Sequence, residues 1–263
     1  MLICGAANAS DELNTKGAAD VIFDKGHFEE SVKLAFTSFE EPTGFIGGQY
    51  TSLGNPCEDH DLVNNDSQNP LDTIPFVSNE IGFNARFVAP SNCEDGISRD
   101  WNGVTSFTGD LHDGSSDFEA RVFSAFTDGL QGYQINDVDG TLILESEDID
   151  LTGRVNLTFG LDYFLSDYDS FDEPVIDYSD WEIDDFLRVY AVNLDTMEEY
   201  EAVNIKGGIN ADSIDNVVPS IEFVWNSAVV NLPSNIRVKI VIEASMNSTN
   251  ERIYLDNIVI RGL

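Results

Sequence analysis

Two acidic segments carry the side chains with the clearest chemistry. One is Asp137-Val138-Asp139-Gly140, in which alternate carboxylates precede a glycine, and the other is the run DYDSFDE at 167–173. Ca²⁺ binds roughly six to eight oxygen atoms, many of them from carboxylates. The spacing therefore predicts Ca²⁺ as a cofactor, with Asp137 and Asp139 as ligands. Asp-Gly pairs also form turns, and acidic loops are often only solvated, so that second interpretation stays open.

A further segment, Trp181-Glu182-Ile183-Asp184-Asp185-Phe186, is similar to the Glu-x-Asp-x-Glu strand of laminarinase-like glycoside hydrolases. Retaining glycosidases need one carboxylate as nucleophile and another as the acid that protonates the leaving group. Glu182 and Asp184 match this motif, but Phe186 stands where the acid belongs. The chain also lacks a Gly-x-Ser-x-Gly elbow, a Walker loop and a dinucleotide fingerprint. The sequence therefore predicts a protein that is not an enzyme.

Aromatic side chains near predicted strand ends are candidates for stacking on sugar rings. Glycan recognition needs exposed rings beside Asp, Asn or Arg side chains that bond to hydroxyl groups. The alternative is that these rings close the ends of a hydrophobic core, as aromatic side chains often do. The candidate ligand-binding residues are Trp101, Tyr133, Tyr168, Tyr178 and Trp181.

The charge balance excludes several classes of partner. The 263 residues include 48 acidic and 13 basic side chains, which give a formal net charge of −35 at pH 7. Contacts with DNA, RNA or an anionic membrane would be made against this field. No stretch approaches the roughly 18 consecutive apolar residues that a spanning helix requires, so membrane insertion is not expected. Such a charge suits a salty or calcium-rich medium, where ions screen the self-repulsion.

The first residues have features of a processed secretory signal. Ala7-Asn8-Ala9 fits the small-x-small rule for signal-peptide cleavage, and a short apolar run precedes it. Residues 1–9 are therefore interpreted as the remnant of a signal peptide, and residues 10–32 as a polar leader. This organisation predicts a secreted, extracellular protein.

The cysteines and sequons agree with an oxidising compartment. Removal of residues 1–9 would leave Cys57 and Cys93, which lie in the similar contexts Pro-Cys-Glu-Asp and Asn-Cys-Glu-Asp. A disulfide between them is predicted, with two free thiols as the alternative. Three Asn-x-Ser/Thr sequons permit glycosylation in a secreted protein, at Asn65, Asn156 and Asn247.

The elements that must position these residues are β-strands. From Lys33 onward, short alternating or apolar runs are separated by Gly, Asn, Asp and Pro clusters, and no long helical pattern occurs. Residues 154–163 alternate almost perfectly, which indicates a strand with one buried face and places Asn156 inside it. We expect one domain over 33–263, an all-β, two-sheet antiparallel jelly-roll-type sandwich with long acidic loops. The strands are predicted at 34–39, 81–87, 104–107, 120–126, 132–135, 141–144, 154–163, 186–192, 221–225, 236–244 and 252–260.

Three short motifs resemble extracellular jelly-roll modules, namely MAM-like domains and galactose-binding-like carbohydrate-binding modules. They are Ser38-Phe39-Glu40-Glu41, the block at 144–151 and Ile253-Tyr254-Leu255-Asp256-Asn257-Ile258. The resemblance implies a Ca²⁺ ion shared by an acidic residue after the first strand and an aspartate of the last strand. These residues are Glu40, with Glu41 as the alternative, and Asp256. It also implies adhesion or glycan recognition without catalysis.

Three functions follow, in order of preference. The first is a secreted, non-catalytic, calcium-stabilised recognition or adhesion module that binds a glycan, an extracellular matrix protein or a cell-surface protein. The second is an acidic structural protein of a matrix, filament or mineral surface that self-assembles. The third is a polysaccharide-active enzyme.

Overall fold

The fold consists of fourteen β-strands in the part of the chain that the computed structural model describes. The described residues are 31–40, 49–52, 55–62, 80–91, 101–105, 126–167, 185–207, 224–247 and 251–263. They contain no helix. The strands are β1 Val32–Thr37, β2 Gln49–Ser52, β3 His60–Asp61, β4 Phe83–Val88, β5 Trp101–Thr105, β6 Gly132–Asn136, β7 Thr141–Ser146, β8 Ile149–Asp150, β9 Leu157–Asp167, β10 Phe186–Asn193, β11 Glu199–Lys206, β12 Trp225–Leu232, β13 Arg237–Ser245 and β14 Glu251–Gly262.

The strands form two antiparallel seven-stranded sheets. The first sheet has the order β12-β9-β14-β6-β5-β2, and β1 pairs with β14 as well. The second sheet has the order β11-β10-β13-β7-β4-β3, and β8 pairs with β13. Residues 31–263 form one compact unit. The predicted all-β, two-sheet jelly-roll-type sandwich is confirmed.

The core lies between the two sheets and follows from the alternation within each strand. In β9, Leu157, Phe159 and Leu161 are almost fully buried in the main apolar cluster, and in β13 Val238, Ile240 and Ile242 join the same cluster from the other sheet. Each such side chain contributes roughly 1.5–3 kcal/mol when fully buried. Side chains at the positions between them therefore point away from the core, onto the outer faces.

Strand boundaries differ from the predicted ones where turn geometry overrides alternation. β9 begins at Leu157 rather than at 154, because Asn156 has a φ of 54° and the segment before it turns. The alternation had placed Asn156 within a strand. In the structure it is exposed and lies in a turn. Of the strand predicted at 221–225, residues 221–223 lie outside the described part of the chain, and β12 begins at Trp225 and continues to Leu232.

β14 is the central strand of the first sheet and brings the two ends of the domain together. It pairs with β9 along one edge, and with β6 and then β1 along the other. Thr37 of β1 lies opposite Ile258 of β14. This pairing places the segment after β1 close to the middle of β14, where the predicted calcium ligands Glu40 and Asp256 lie.

Among the described residues, no helix has the length and apolar character needed to cross a bilayer.

Candidate functional site

Asp256, in the middle of β14, holds the loop that precedes β6. Its side chain is fully buried. Its Oδ2 accepts hydrogen bonds from the backbone N–H of Thr127 at 2.7 Å, from the Thr127 hydroxyl at 3.0 Å and from the N–H of Asp128 at 2.8 Å. Its Oδ1 accepts the N–H of Asn257 at 2.7 Å. A bulge in the pairing with β9 follows Asp256, and Asn257 has a φ of 48° there. The bulge turns the chain so that this N–H reaches the carboxylate.

Glu40, just after β1, holds the other half of the same loop. Its Oε1 accepts the backbone N–H groups of Leu130 at 2.5 Å and of Gln131 at 2.8 Å. Between the two halves lies Gly129, which has a φ of 90°. A Cβ at this position would lie 2.1 Å from the Glu40 Oε1, so only glycine allows the close approach. We call Glu40, Asp256 and the loop at 127–131 the carboxylate clamp.

The electrostatics of the clamp are unusual for an aspartate. Burial raises the pKa of Asp256 to about 6, although its hydrogen bonds with the backbone N–H groups and the Thr127 hydroxyl act in the opposite direction. Within the clamp loop, Gln131 is 7% exposed, and its Oε1 has no hydrogen-bond partner among the described residues. A carboxylate that resists ionisation and an unsatisfied amide oxygen are both groups that a bound cation would stabilise.

The donor set of the clamp fits a hard cation only in part. Glu40 and Asp256 carry carboxylate oxygens and Gln131 carries an amide oxygen, which are the ligand types that Ca²⁺ prefers. Both oxygens of Asp256 and the Oε1 of Glu40 already accept hydrogen bonds from N–H or hydroxyl groups. Among the described residues, however, no three side chains of Asp, Glu, His or Cys lie close enough together to hold a metal ion by themselves. Amide and backbone oxygens would therefore complete the coordination. Sequence reasoning missed Gln131, because a lone glutamine in a loop has no metal-ligand pattern.

The other predicted metal ligands are not residues of the carboxylate clamp. Asp137 and Asp139 lie in the connection between β6 and β7, which passes from one sheet to the other. Asp137 is buried, whereas the largely exposed Asp139 has a pKa raised by desolvation. Glu41 lies outside the described residues. Ca²⁺ binding at these positions stays a prediction.

Tyr133 is a core residue. Its position near a predicted strand end had made it a candidate ring for stacking on a sugar, and its burial contradicts that prediction. Its side chain is 1% exposed, its ring centroid lies 5.5 Å from that of Phe39, and its hydroxyl donates to the buried Asn102 Oδ1. Burial raises its pKa well above the ordinary value. Of the other predicted aromatic ligands, Tyr168, Tyr178 and Trp181 lie outside the described residues. Trp101 lies in β5, but its side chain is not described.

An open groove of about 480 Å³ lies along β3, β4 and β7 at one edge of the second sheet. We call it the β4 groove. Its outward side chains lie in two neighbouring cross-strand rows. Asp61, Arg86 and Ile143 form one row, and Asn84 and Glu145 form the next. The groove is lined by Asp59, His60, Asp61, Asn84, Ala85, Arg86, Phe87, Val88 and Glu145.

Three polar side chains of the groove are available to a ligand. In the described part of the chain, Asn84, Arg86 and Glu145 make no side-chain hydrogen bond and no ion pair. Asn84 and Arg86 are exposed, and Glu145 is half-buried. Donors and acceptors that have no protein partner can exchange their bound water for the hydroxyl groups of a bound molecule.

A second arginine on the same outer face shows the contrast. Arg188 of β10 pairs with Glu199, with Glu201 at 2.9 Å and with Glu243 at 3.7 Å. Its guanidinium also lies 4.2 Å from the centroid of the Tyr190 ring. These contacts occupy its donors and raise its pKa. Arg188 therefore stabilises the face, whereas Arg86 leaves its guanidinium for solvent or a ligand.

The remaining predicted sites are described only in part. Cys57 is disulfide-bonded, but Cys93 lies outside the described residues, so the pairing of the two stays a prediction. Of the sequon asparagines, Asn156 and Asn247 are exposed and Asn65 lies outside the described part.

The glycosidase-like pair Glu182 and Asp184 also lies outside the described residues. Phe186, which replaces the third carboxylate of that motif, is half-buried in β10.

Comparison with known proteins finds similarity at the level of solved structures alone. No family model matches the sequence, and no curated protein matches it. A carbohydrate-binding module, TmCBM61 in complex with β-1,4-galactotriose, has a TM-score of 0.36 and 8% identity, over 60% of this chain and 80% of the other. The cyclase Fisc from Fischerella sp. TAU has a TM-score of 0.39 and 15% identity, over 89% and 98%. The K2 adhesin domain of Lys-gingipain has a TM-score of 0.37 and 13% identity, over 89% of this chain and 99% of the other. Similarity at this level does not assign the chain to a family.

Proposed function

We propose that the protein is a secreted, non-catalytic recognition module that binds a glycan in the β4 groove and is stabilised by Ca²⁺ at the carboxylate clamp. The observation that carries the proposal is the set of unpaired polar side chains in an open groove, namely Asn84, Arg86 and Glu145. Sugars present closely spaced hydroxyl groups that both donate and accept hydrogen bonds. A guanidinium, an amide and a carboxylate on two neighbouring rows provide both kinds of partner.

The role proposed for Ca²⁺ rests on the clamp. Asp256 is fully buried, and burial raises its pKa, so its ionised form is poorly compensated by the loop N–H groups alone. A cation bound by Glu40, Asp256 and Gln131 would stabilise the ionised carboxylate and satisfy the orphan amide oxygen. In this proposal the metal has a structural role: it fastens the loop to β1 and β14 and takes no part in a reaction.

Binding to an array of immobilised oligosaccharides tests the glycan part of the proposal. We expect Arg86→Ala to weaken binding by about 10- to 100-fold, because hydrogen bonds from a charged donor contribute roughly 1.5–3 kcal/mol. Arg154→Ala is the matched control, since Arg154 is an exposed arginine outside the groove. Equal binding by both variants would contradict the location of the site. Calcium-dependent self-assembly without any bound glycan would instead favour the structural alternative.

Thermal melting with and without Ca²⁺ tests the metal part. At a free Ca²⁺ concentration one hundred times Kd, the folded state gains about 2.7 kcal/mol, or roughly 5–10 °C in melting temperature for a domain of this size. Asp256→Asn and Glu40→Gln should abolish this increase. Glu147→Gln, an exposed carboxylate outside the clamp, should retain it. An increase of the same size in all four proteins would show that any bound Ca²⁺ lies elsewhere.

A further inference from the structure

We infer that the β4 groove selects uncharged glycan chains and rejects those that carry carboxylate or sulfate groups. This inference rests on the proposed function, because it concerns the class of glycan that the same groove accepts. Three carboxylates line the groove, those of Asp59, Asp61 and Glu145, and Arg86 is its one guanidinium. The carboxylates therefore outnumber the cation, and the groove has the same sign of charge as the whole chain.

The position of Arg86 makes it a donor to hydroxyl groups rather than a counterion for an acidic sugar. Arg86 lies directly opposite Asp61 in the pairing of β3 with β4. Side chains directly opposite across antiparallel strands have Cβ atoms about 4.5–5.5 Å apart. The negative charge of Asp61 therefore offsets much of the positive field that an incoming anion would meet at Arg86.

Glu145 adds a direct penalty for an anionic ligand. It lies opposite Asn84 in the pairing of β4 with β7, one row from Arg86. An ionised glutamate accepts hydrogen bonds but cannot donate them. A sugar hydroxyl can donate a hydrogen bond to the Glu145 carboxylate. The carboxylate of a uronic acid has no proton to donate, and its negative charge repels that of Glu145. An amide such as Asn84 bonds equally well to either ligand, so the discrimination falls on Glu145.

Other cations on this outer face do not compensate. Arg188 is engaged by three glutamates, and Lys239 lies 3.5 Å from Asp148. In the described part of the face, Lys206, like Arg86, has no ion pair, but it lies on β11, the strand at the opposite edge of the sheet from β3. Strands are about 4.8 Å apart, so the four strand spacings between β11 and β4 place its charge well outside the groove. The field of a chain with a net charge of −35 extends this repulsion beyond the groove at low salt.

The test compares neutral oligosaccharides with their C6-carboxylate counterparts of the same linkage, for example cellohexaose with its hexauronate. Affinities are measured at pH 7 and at two salt concentrations. We expect each neutral ligand that binds to do so at least tenfold more tightly than its uronate, and the gap to narrow at high salt. Glu145→Gln should reduce the ratio of the two affinities several-fold and should retain binding of the neutral ligand. Asp61→Asn is a second variant with the same expectation, and Glu147→Gln is the control that leaves the gap unchanged.

The outcomes separate this inference from the proposed function. A uronate that binds as tightly as its neutral counterpart, or more tightly, overturns the inference and leaves glycan binding intact. Failure of both groove variants to narrow the gap overturns the role of the groove carboxylates. If no neutral and no acidic oligosaccharide on the array binds, the proposed function fails and the selectivity fails with it.

Discussion

Asp256 gives the chain a pH dependence of stability that is opposite in sign to that of a paired carboxylate. The folded state raises its pKa from 3.8 to about 6, and burial is the main cause. The folded state therefore binds a proton more tightly than the unfolded state does. Stability associated with this group is fully present below pH 3.8 and is lost as the pH rises through 6.

The magnitude follows from the two pKa values. When the pH is lowered from 7 to 5, the free energy of unfolding rises by about 1.4 kcal/mol relative to that of a variant that cannot titrate at this position. For a domain of this size, that corresponds to roughly 3–6 °C in melting temperature. Bound Ca²⁺ should reverse the dependence, because the metal requires the ionised carboxylate.

The measurement is a set of thermal melts of the metal-free wild type and Asp256→Asn at half-unit steps between pH 7 and pH 5. The difference between the two proteins removes the contribution of the other carboxylates. Asp150→Asn is the control, since hydrogen bonds with Thr152 lower the pKa of the exposed Asp150 and its difference curve should be flat over this range. A flat difference curve for Asp256→Asn as well would refute the claim that burial of this carboxylate is uncompensated.

Two further substitutions test the packing around the clamp and in the core. Gly129→Ala should destabilise the fold by at least about 1 kcal/mol more than Gly153→Ala in urea unfolding, because both have positive φ but only Gly129 abuts the clamp carboxylate. Equal losses would show that the carboxylate adapts freely. Tyr133→Phe should cost about 1–3 kcal/mol, since the ring stays packed while the buried Asn102 oxygen loses its hydroxyl donor. Unchanged stability would mean that this short contact contributes nothing.

The fold could be predicted from the sequence because alternation and turn residues are local signals. β13 and β14 carry long alternating or apolar runs, and both lie close to their predicted bounds. β11 was missed because Glu199-Tyr200-Glu201-Ala202-Val203 mixes charges with small or half-buried side chains at an edge of the sheet. Edge strands bury little surface, so their sequences need not be apolar.

The candidate site was predictable only where a motif named it. Glu40 and Asp256 followed from short motifs at the two ends of the domain, and the pairing of β1 with β14 explains why they reach one loop. The β4 groove could not be predicted. Asp61, Arg86 and Glu145 come from three strands that are distant in sequence, and the register between those strands decides which side chains become neighbours.

The clamp and the groove belong to opposite sheets, and one short connection joins them. The clamp loop leads into β6 of the first sheet, and the connection at 137–140 then crosses to β7, which carries Glu145. Gly140 packs against β4 so tightly that a Cβ would lie 2.5 Å from the Val88 carbonyl oxygen. The relative position of β4 and β7 is therefore set by their own ladder and by this contact. Neither of these includes a clamp residue, but Phe39, which precedes Glu40, packs against Phe83 of β4 with ring centroids 6.4 Å apart. We therefore expect the Ca²⁺ ion proposed at the clamp to change the stability of the whole domain and to act on the groove only through this contact at the start of β4.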